Sequence, residues 1–101
     1  AAGTFLGAMV GSEIGRSIDR TDLQYARQAQ RQAYSAPIGE TIRWENPETR
    51  HTGTITPTRQ GTSGSGDYCR EFQQTVTIGG QQEQGYGIAC RQPDGSWRIV
   101  N

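Results

Sequence analysis

Gly79-Gly80, set between the Thr75 to Ile78 and Gln81 to Gln84 runs, constrains this chain more than any other feature. Only glycine takes φ > 0 at both central positions of a two-residue hairpin turn without strain, so the dipeptide predicts a hairpin in which Ile78 faces Gln81. Carried outward, that register sets Cys69 directly opposite Cys90. The pair falls at a non-hydrogen-bonded position, where backbones approach most closely and side chains meet. A cross-strand disulfide is therefore geometrically open to the two cysteines, against the alternative of two free, buried thiols that face one another.

The next turn extends the sheet. Gln92-Pro93-Asp94-Gly95-Ser96 reads as a type I turn with Gly95 in the left-handed position, which places Trp97 opposite Arg91 and Ile99 opposite Ala89. Alternation across three strands then collects Tyr68, Phe72, Val76, Ile78, Ala89, Trp97 and Ile99 on a core face, with Phe72 over Gly87. The opposite face carries the cysteine pair with Tyr86, Ile88, Glu71, Arg98 and Val100. It is only partly apolar, and Tyr86, Ile88, Glu71 and Arg98 form a candidate binding face.

Composition narrows the chemistry. The 101 residues hold ten acidic and ten basic side chains, so no bulk charge draws the chain to nucleic acid. Every basic residue is arginine, which removes Schiff-base and phosphate-loop lysines. A single histidine and two cysteines with no zinc-ligand spacing argue against a metal site, and nothing points to a cofactor or a small-molecule substrate. His51, in a turn, is expected to be solvated. Glu71 and Glu83 face Ile88 and Val76 on different sides of the sheet and make no acid/base dyad. A catalytic residue is not expected. An even cysteine count in a short Gly-, Gln- and Thr-rich chain leans toward an oxidising compartment.

Towards the N-terminus, Gly3, Gly7, Gly11 and Gly15 recur every four residues, with Phe5, Leu6, Met9 and Val10 between them. On a helix these glycines form one stripe, at about 1 kcal/mol each relative to alanine. Close helix-to-helix approach in lipid offsets such a loss. The apolar run before Ser12 and Glu13 is too short for a span of about 20 residues, so the expectation is the end of a membrane-embedded or helix-paired hairpin. The alternative is a flexible glycine-rich leader. Arg16 and Arg20 lie one turn apart beyond the apolar end, placed either to meet lipid head groups or to pair with Glu13 and Asp19. From Ile14 to about Tyr34 the sequence is helical. Either Thr21 and Gln24 cap a second helix or one helix runs through. Tyr25, Ala29 and Ala33 take one side, and Gln24, Arg27, Gln28, Arg31 and Gln32 the other.

Ser35-Ala36-Pro37 ends the helix. A first hairpin follows over Ile38 to Pro57, with Ile42 and Trp44 before an Asn46-Pro47-Glu48-Thr49 turn and Ile55 after it. Trp44 is read as a core residue packing with Trp97 or Phe72, and Gln60 to Gly66 as a flexible connector. The fold class is α+β: a glycine-zipper helical segment over 1–36, then a small antiparallel β domain of about five strands over 37–101.

Several of these motifs together resemble the C-terminal domain of the 17 kDa surface antigen family: Trp44-Glu45-Asn46-Pro47, Thr56-Pro57, Cys69-Arg70-Glu71-Phe72, Ile78-Gly79-Gly80 and Ala89-Cys90-Arg91-Gln92-Pro93-Asp94-Gly95-Ser96-Trp97. Its members are outer-membrane lipoproteins of alphaproteobacteria, and the glycine stripe looks like the second half of their two-helix zipper. The resemblance implies a cell-envelope location, a lipidated cysteine upstream of this chain and no catalytic residue. In that family the turn after Asn-Pro usually runs Thr-Gly-Asn, whereas here Thr49 is followed by Arg50 and His51. The function expected is a non-enzymatic envelope protein that associates with the membrane, a membrane protein or itself through the glycine helix. The alternative is a module that binds a glycan, peptidoglycan fragment or protein partner through the sheet.

Overall fold

A computed structural model describes residues 18–100. Gly3, Gly7, Gly11, Gly15 and Arg16 lie outside the described residues. Within them, helix α1 (Arg20–Ala33) precedes five strands, β1 (Ile42–Glu45), β2 (Thr52–Thr62), β3 (Tyr68–Ile78), β4 (Gln81–Arg91) and β5 (Trp97–Ile99). Every strand pairs antiparallel with its sequence neighbour, giving the order β1-β2-β3-β4-β5. The fold is α+β, as the sequence predicts.

The register follows the turn chemistry. Gly79 and Gly80 both take positive φ, 58° and 81°, and Ile78 pairs with Gln81. Cys69 and Cys90 consequently stand opposite one another with Cα atoms 4.0 Å apart, and they form a disulfide. Gly95, at φ 91°, closes the last hairpin with Trp97 opposite Arg91.

One face of the sheet is the core. Phe72, Val76 and Ala89 are fully buried on it, joined by Trp44 and Ile55 and by Ala26, Ala29 and Ala33 of the helix. Small side chains on α1 bring it close to the strands, while Gln24, Arg27, Gln28, Arg31 and Gln32 face outward. Large residues sit opposite glycines along the rows, Phe72 facing Gly87 and Trp44 facing Gly53. Trp44 packs its indole directly over Gly53. The ring stacked on Trp97 is instead Tyr34, with centroids 4.5 Å apart and planes 2° from parallel, and Tyr34 also meets Phe72 edge-on. A Cβ at position 53 would land inside the Trp44 indole, so Gly53→Ala is expected to destabilise by about 2 kcal/mol, read as a lower urea midpoint with unchanged slope.

Three expectations need correction. The helix neither starts at Thr21 nor runs through from Ile14: Asp19 is its N-cap, with extended backbone, and Asp19 and Asp22 form a capping box. The segment from Gln60 to Gly66 is not a loose connector. Gln60, Gly61 and Thr62 belong to β2, and Ser63 to Asp67 make a tight turn in which Ser63 N donates to Asp67 O and Gly66 N to Ser63 O. The first hairpin likewise does not stop at Pro57, because β2 continues through it. Proline is tolerated there since β1 pairs only as far as Ile55, and the β2 edge beyond is free of a ladder partner. The Pro57 carbonyl accepts from Gly39 N, and a bulge at Thr58 restores the pairing of Arg59 with Glu71.

Candidate functional site

Two groupings of polar side chains stand out, and the sequence exposes only one of them. The first is built on Asp22, in the first turn of α1 and fully buried. Its Oδ1 accepts from Asn46 Nδ2 at 2.7 Å and Thr49 Oγ1 at 2.7 Å. Its Oδ2 accepts from His51 Nδ1 at 2.6 Å and from the Asp19 backbone N–H at 2.9 Å. A carboxylate only accepts, so the hydrogen of this bond resides on His51 Nδ1. Burial by itself pushes the Asp22 carboxyl up, but the bonds from His51, Asp19, Thr49 and Asn46 outweigh it and hold the group below its ordinary value of 3.8.

His51 is thus an anchor, not the solvated turn residue expected. Its partner lies 29 residues away in sequence, a separation that no local spacing reveals. Thr49 donates its hydroxyl to Asp22 rather than to the imidazole, so Asp22, His51 and Thr49 do not form a nucleophile–base relay. The turn that carries them is shaped by Asn46, whose Oδ1 accepts from Glu48 N and whose backbone C=O accepts from Arg50 N. Arg50 closes it in the left-handed region at φ 64°, the one non-glycine residue with positive φ among those described. That conformation is easier for glycine, so Arg50→Gly is expected to raise stability by about 0.5–1 kcal/mol, measured as a higher melting temperature.

Arg70 is a second buried group that alternation alone does not explain. It lies on the core face of β3, where its Nη1 donates to the carbonyls of Ala33 at 2.9 Å and Ala36 at 2.6 Å. A cation there satisfies carbonyls left over at the C-terminal end of α1. Its Nε donates to the Tyr68 hydroxyl.

The second grouping is the open face of the sheet. Glu71 pairs with Ile88, Gln73 with Tyr86, and Cys90 with Arg98, so the candidate residues Tyr86, Ile88, Glu71 and Arg98 share this face with the disulfide. Tyr86 is 57% exposed and Val100 49%. Glu71 is bound on one side: Arg59 reaches it with Nη2 at 2.9 Å and Nε at 3.1 Å, and Thr58 adds a hydroxyl. The Arg59 bonds first, and Thr58 second, hold Glu71 below the usual carboxylate range. Between the β2 end, the disulfide and Val100 lies a shallow depression of about 400 Å³. Elsewhere the face is dressed with hydroxyl pairs, Thr54 with Thr75 and Thr41 with Thr56. Glu71 and Glu83 face opposite sides of the sheet. Arg20 is exposed as the first residue of α1. Among the described residues no cluster of three or more acidic, histidine or cysteine side chains is placed to hold a metal, and no helix is long and apolar enough to cross a membrane.

Comparison with known proteins supplies the family. The family described as 17 kDa outer membrane surface antigen matches residues 31–98. The chain is 46% identical over 101 residues to the 17 kDa surface antigen of Rickettsia bellii (strain RML369-C), covering 99% of this chain and 64% of that protein. It is 51% identical over 73 residues to the protein of the same name from Rickettsia prowazekii (strain Madrid E), covering 72% and 46%, and 44% identical over 85 residues to that of Rickettsia felis (strain ATCC VR-1525 / URRWXCal2), covering 83% and 54%. The chain therefore spans less than two thirds of the length of these relatives. No solved structure matches it significantly. The match across both cysteines, the Gly79-Gly80 turn and the Asp22-binding loop from Asn46 to His51 covers most of the folded unit, and the chain belongs to the 17 kDa outer membrane surface antigen family.

Proposed function

We propose that this chain is a non-enzymatic, surface-antigen-like part of the cell envelope, held at the outer membrane and acting by assembly and display. Family membership supports the envelope location. The observation that carries the rest is how the polar groups are used. Asp22 and His51, the pair best suited to acid/base work, bind one another and lock the helix to the first turn, and both cysteines are joined.

In this reading the glycine-spaced segment from Gly3 to Gly15 packs helix to helix, with itself or with a membrane protein, as an accessory subunit. Arg16 and Arg20 meet lipid head groups, and a lipidated residue upstream of the chain supplies the anchor. The test uses the full-length protein in its native membrane. Gly7→Leu with Gly11→Leu should abolish its crosslinked oligomers while leaving the disulfide intact. An unchanged crosslinking ladder would sink the assembly mechanism. Labelled palmitate should enter the full-length protein, and surface-added protease should determine whether the sheet faces the outside or the periplasm.

A second reading is favoured by the exposure of Tyr86 beside Ile88 and the depression near Val100. There the open face binds a glycan, peptidoglycan fragment or protein partner, and Tyr86→Ala should remove binding without changing the melting temperature.

A further inference from the structure

Where the end of α1 meets the last hairpin, on the other side of the molecule from the disulfide face, Tyr34 and Trp97 stack in parallel and both stay half-buried. Tyr68 meets Trp97 edge-on, with centroids 6.0 Å apart, so the stack is braced from the side. Around it lies a depression of about 460 Å³ lined by Arg31, Tyr34, Ser35, Arg91 and Trp97. Both arginines are exposed, one on the last turn of α1 and the other at the end of β4. Neither is in an ion pair: among the described residues the pairs are His51 with Asp22 and Arg59 with Glu71. Arg91 is steadied over the Tyr68 ring, 5.4 Å from its centroid. The acid of the adjoining turn, Asp94, is occupied by the Ser96 N–H and hydroxyl.

We infer that this corner is a binding site for a negatively charged saccharide. Two guanidiniums without a carboxylate partner at one depression match an anion, since an arginine fork reads carboxylate or phosphate oxygens in pairs. The aromatic stack between them selects what carries the anion. An aromatic ring is electron-rich on its faces, which suits the weakly positive C–H groups along one side of a pyranose, and a half-buried stack gains by being covered. Ser35, which also lines the depression, brings a hydroxyl that can pair with one on the sugar. The shared chemistry is an acidic group on a sugar ring, which a uronic acid supplies as carboxylate and a sugar phosphate as phosphate. The site is separate from the candidate face around Tyr86, and it does not depend on how the glycine helix assembles.

The experiment titrates the full chain with trigalacturonate, with N-acetylglucosamine 1-phosphate, with neutral maltotriose and with tetraglutamate, and follows the two indole N–H signals by NMR. Trp44, buried over Gly53, is the internal control. The expected result is a saturable shift of the Trp97 indole with one or both anionic sugars and a still Trp44 signal. The carboxylate and phosphate arms tell which acid is preferred. Arg31→Gln and Arg91→Gln, both at exposed positions, should each weaken that binding about tenfold while leaving the Trp44 signal in place. Maltotriose binding as tightly as the acidic sugars would overturn the charge argument. Tetraglutamate binding as tightly would overturn the saccharide argument, and no saturable Trp97 shift with any acidic sugar overturns the site.

Discussion

Asp22→Ala is expected to lower the stability of the protein by about 3 kcal/mol and its melting temperature by roughly 15 °C. The loss is large for one short side chain because Asp22 is the common acceptor for four donors from two parts of the chain. Removing it leaves the buried Asn46 amide and the Thr49 hydroxyl short of an acceptor, opens the capping box of α1 and frees His51. Asp22→Asn, which keeps the volume but supplies one acceptor oxygen and an unwanted donor, should fall between. A melting temperature within 3 °C of the parent would show that the network adds nothing net.

The same group sets an acid limit. Its pKa is lowered in the folded protein, so the unfolded chain binds the proton more readily near pH 4. The sign follows directly: the contribution is complete above the ordinary value of 3.8 and is lost as pH falls through the lower folded value. Urea midpoints measured from pH 6 down to pH 2.5 should decline below about pH 4. The decline should be shallower in Asp22→Asn, and parallel curves for the two proteins would contradict the assignment.

Replacing both cysteines, Cys69→Ser with Cys90→Ser, is expected to cost about 3 kcal/mol, because the bridge closes a loop over a sequence separation of 21 residues. The fold should survive, since the register of β3 with β4 is set at Gly79-Gly80, at the far end of the hairpin from the bridge. The damage should be local. Cys90 also pairs with Arg98, so the short β5 and the end of β4 should lose hydrogen-exchange protection first. Equal loss of protection along the whole of β3 would mean that the bridge, not the turn, holds the register.

Much of the sheet could be read from the amino acids because its rules are local. A Gly-Gly turn, a Pro-Asp-Gly turn and strict alternation place Phe72, Val76, Ala89 and the cysteine pair without reference to anything distant. The outward stripe of α1 was legible for the same reason. Asp22 was not, because an acidic residue in a first helical turn normally faces water, and what buries it is a turn more than twenty residues on. His51 offered no spacing to its partner for that reason. Arg70 falls on the core face by simple counting, yet an arginine there makes sense only once the end of α1 is known to lie above it. The extent of β2 was hidden by Pro57 and Gly61, residues that ordinarily stop a strand; the shortness of β1 and the bulge at Thr58 accommodate them. Of the candidate binding face, Tyr86, Ile88, Glu71 and Arg98 were placed on one side by alternation, but the hold of Arg59 on Glu71 depends on that bulge.

The knot of hydrogen bonds around Asp22 has a mechanical meaning as well. Whatever pulls on the chain upstream of Asp19 enters the folded unit at the first turn of α1, where Asn46, Thr49 and His51 grip it. These bonds couple the first turn of α1 to the β1–β2 turn, so a load applied there is shared with the sheet. Under the proposed anchoring upstream of the chain, the folded unit would be gripped where the tether enters it.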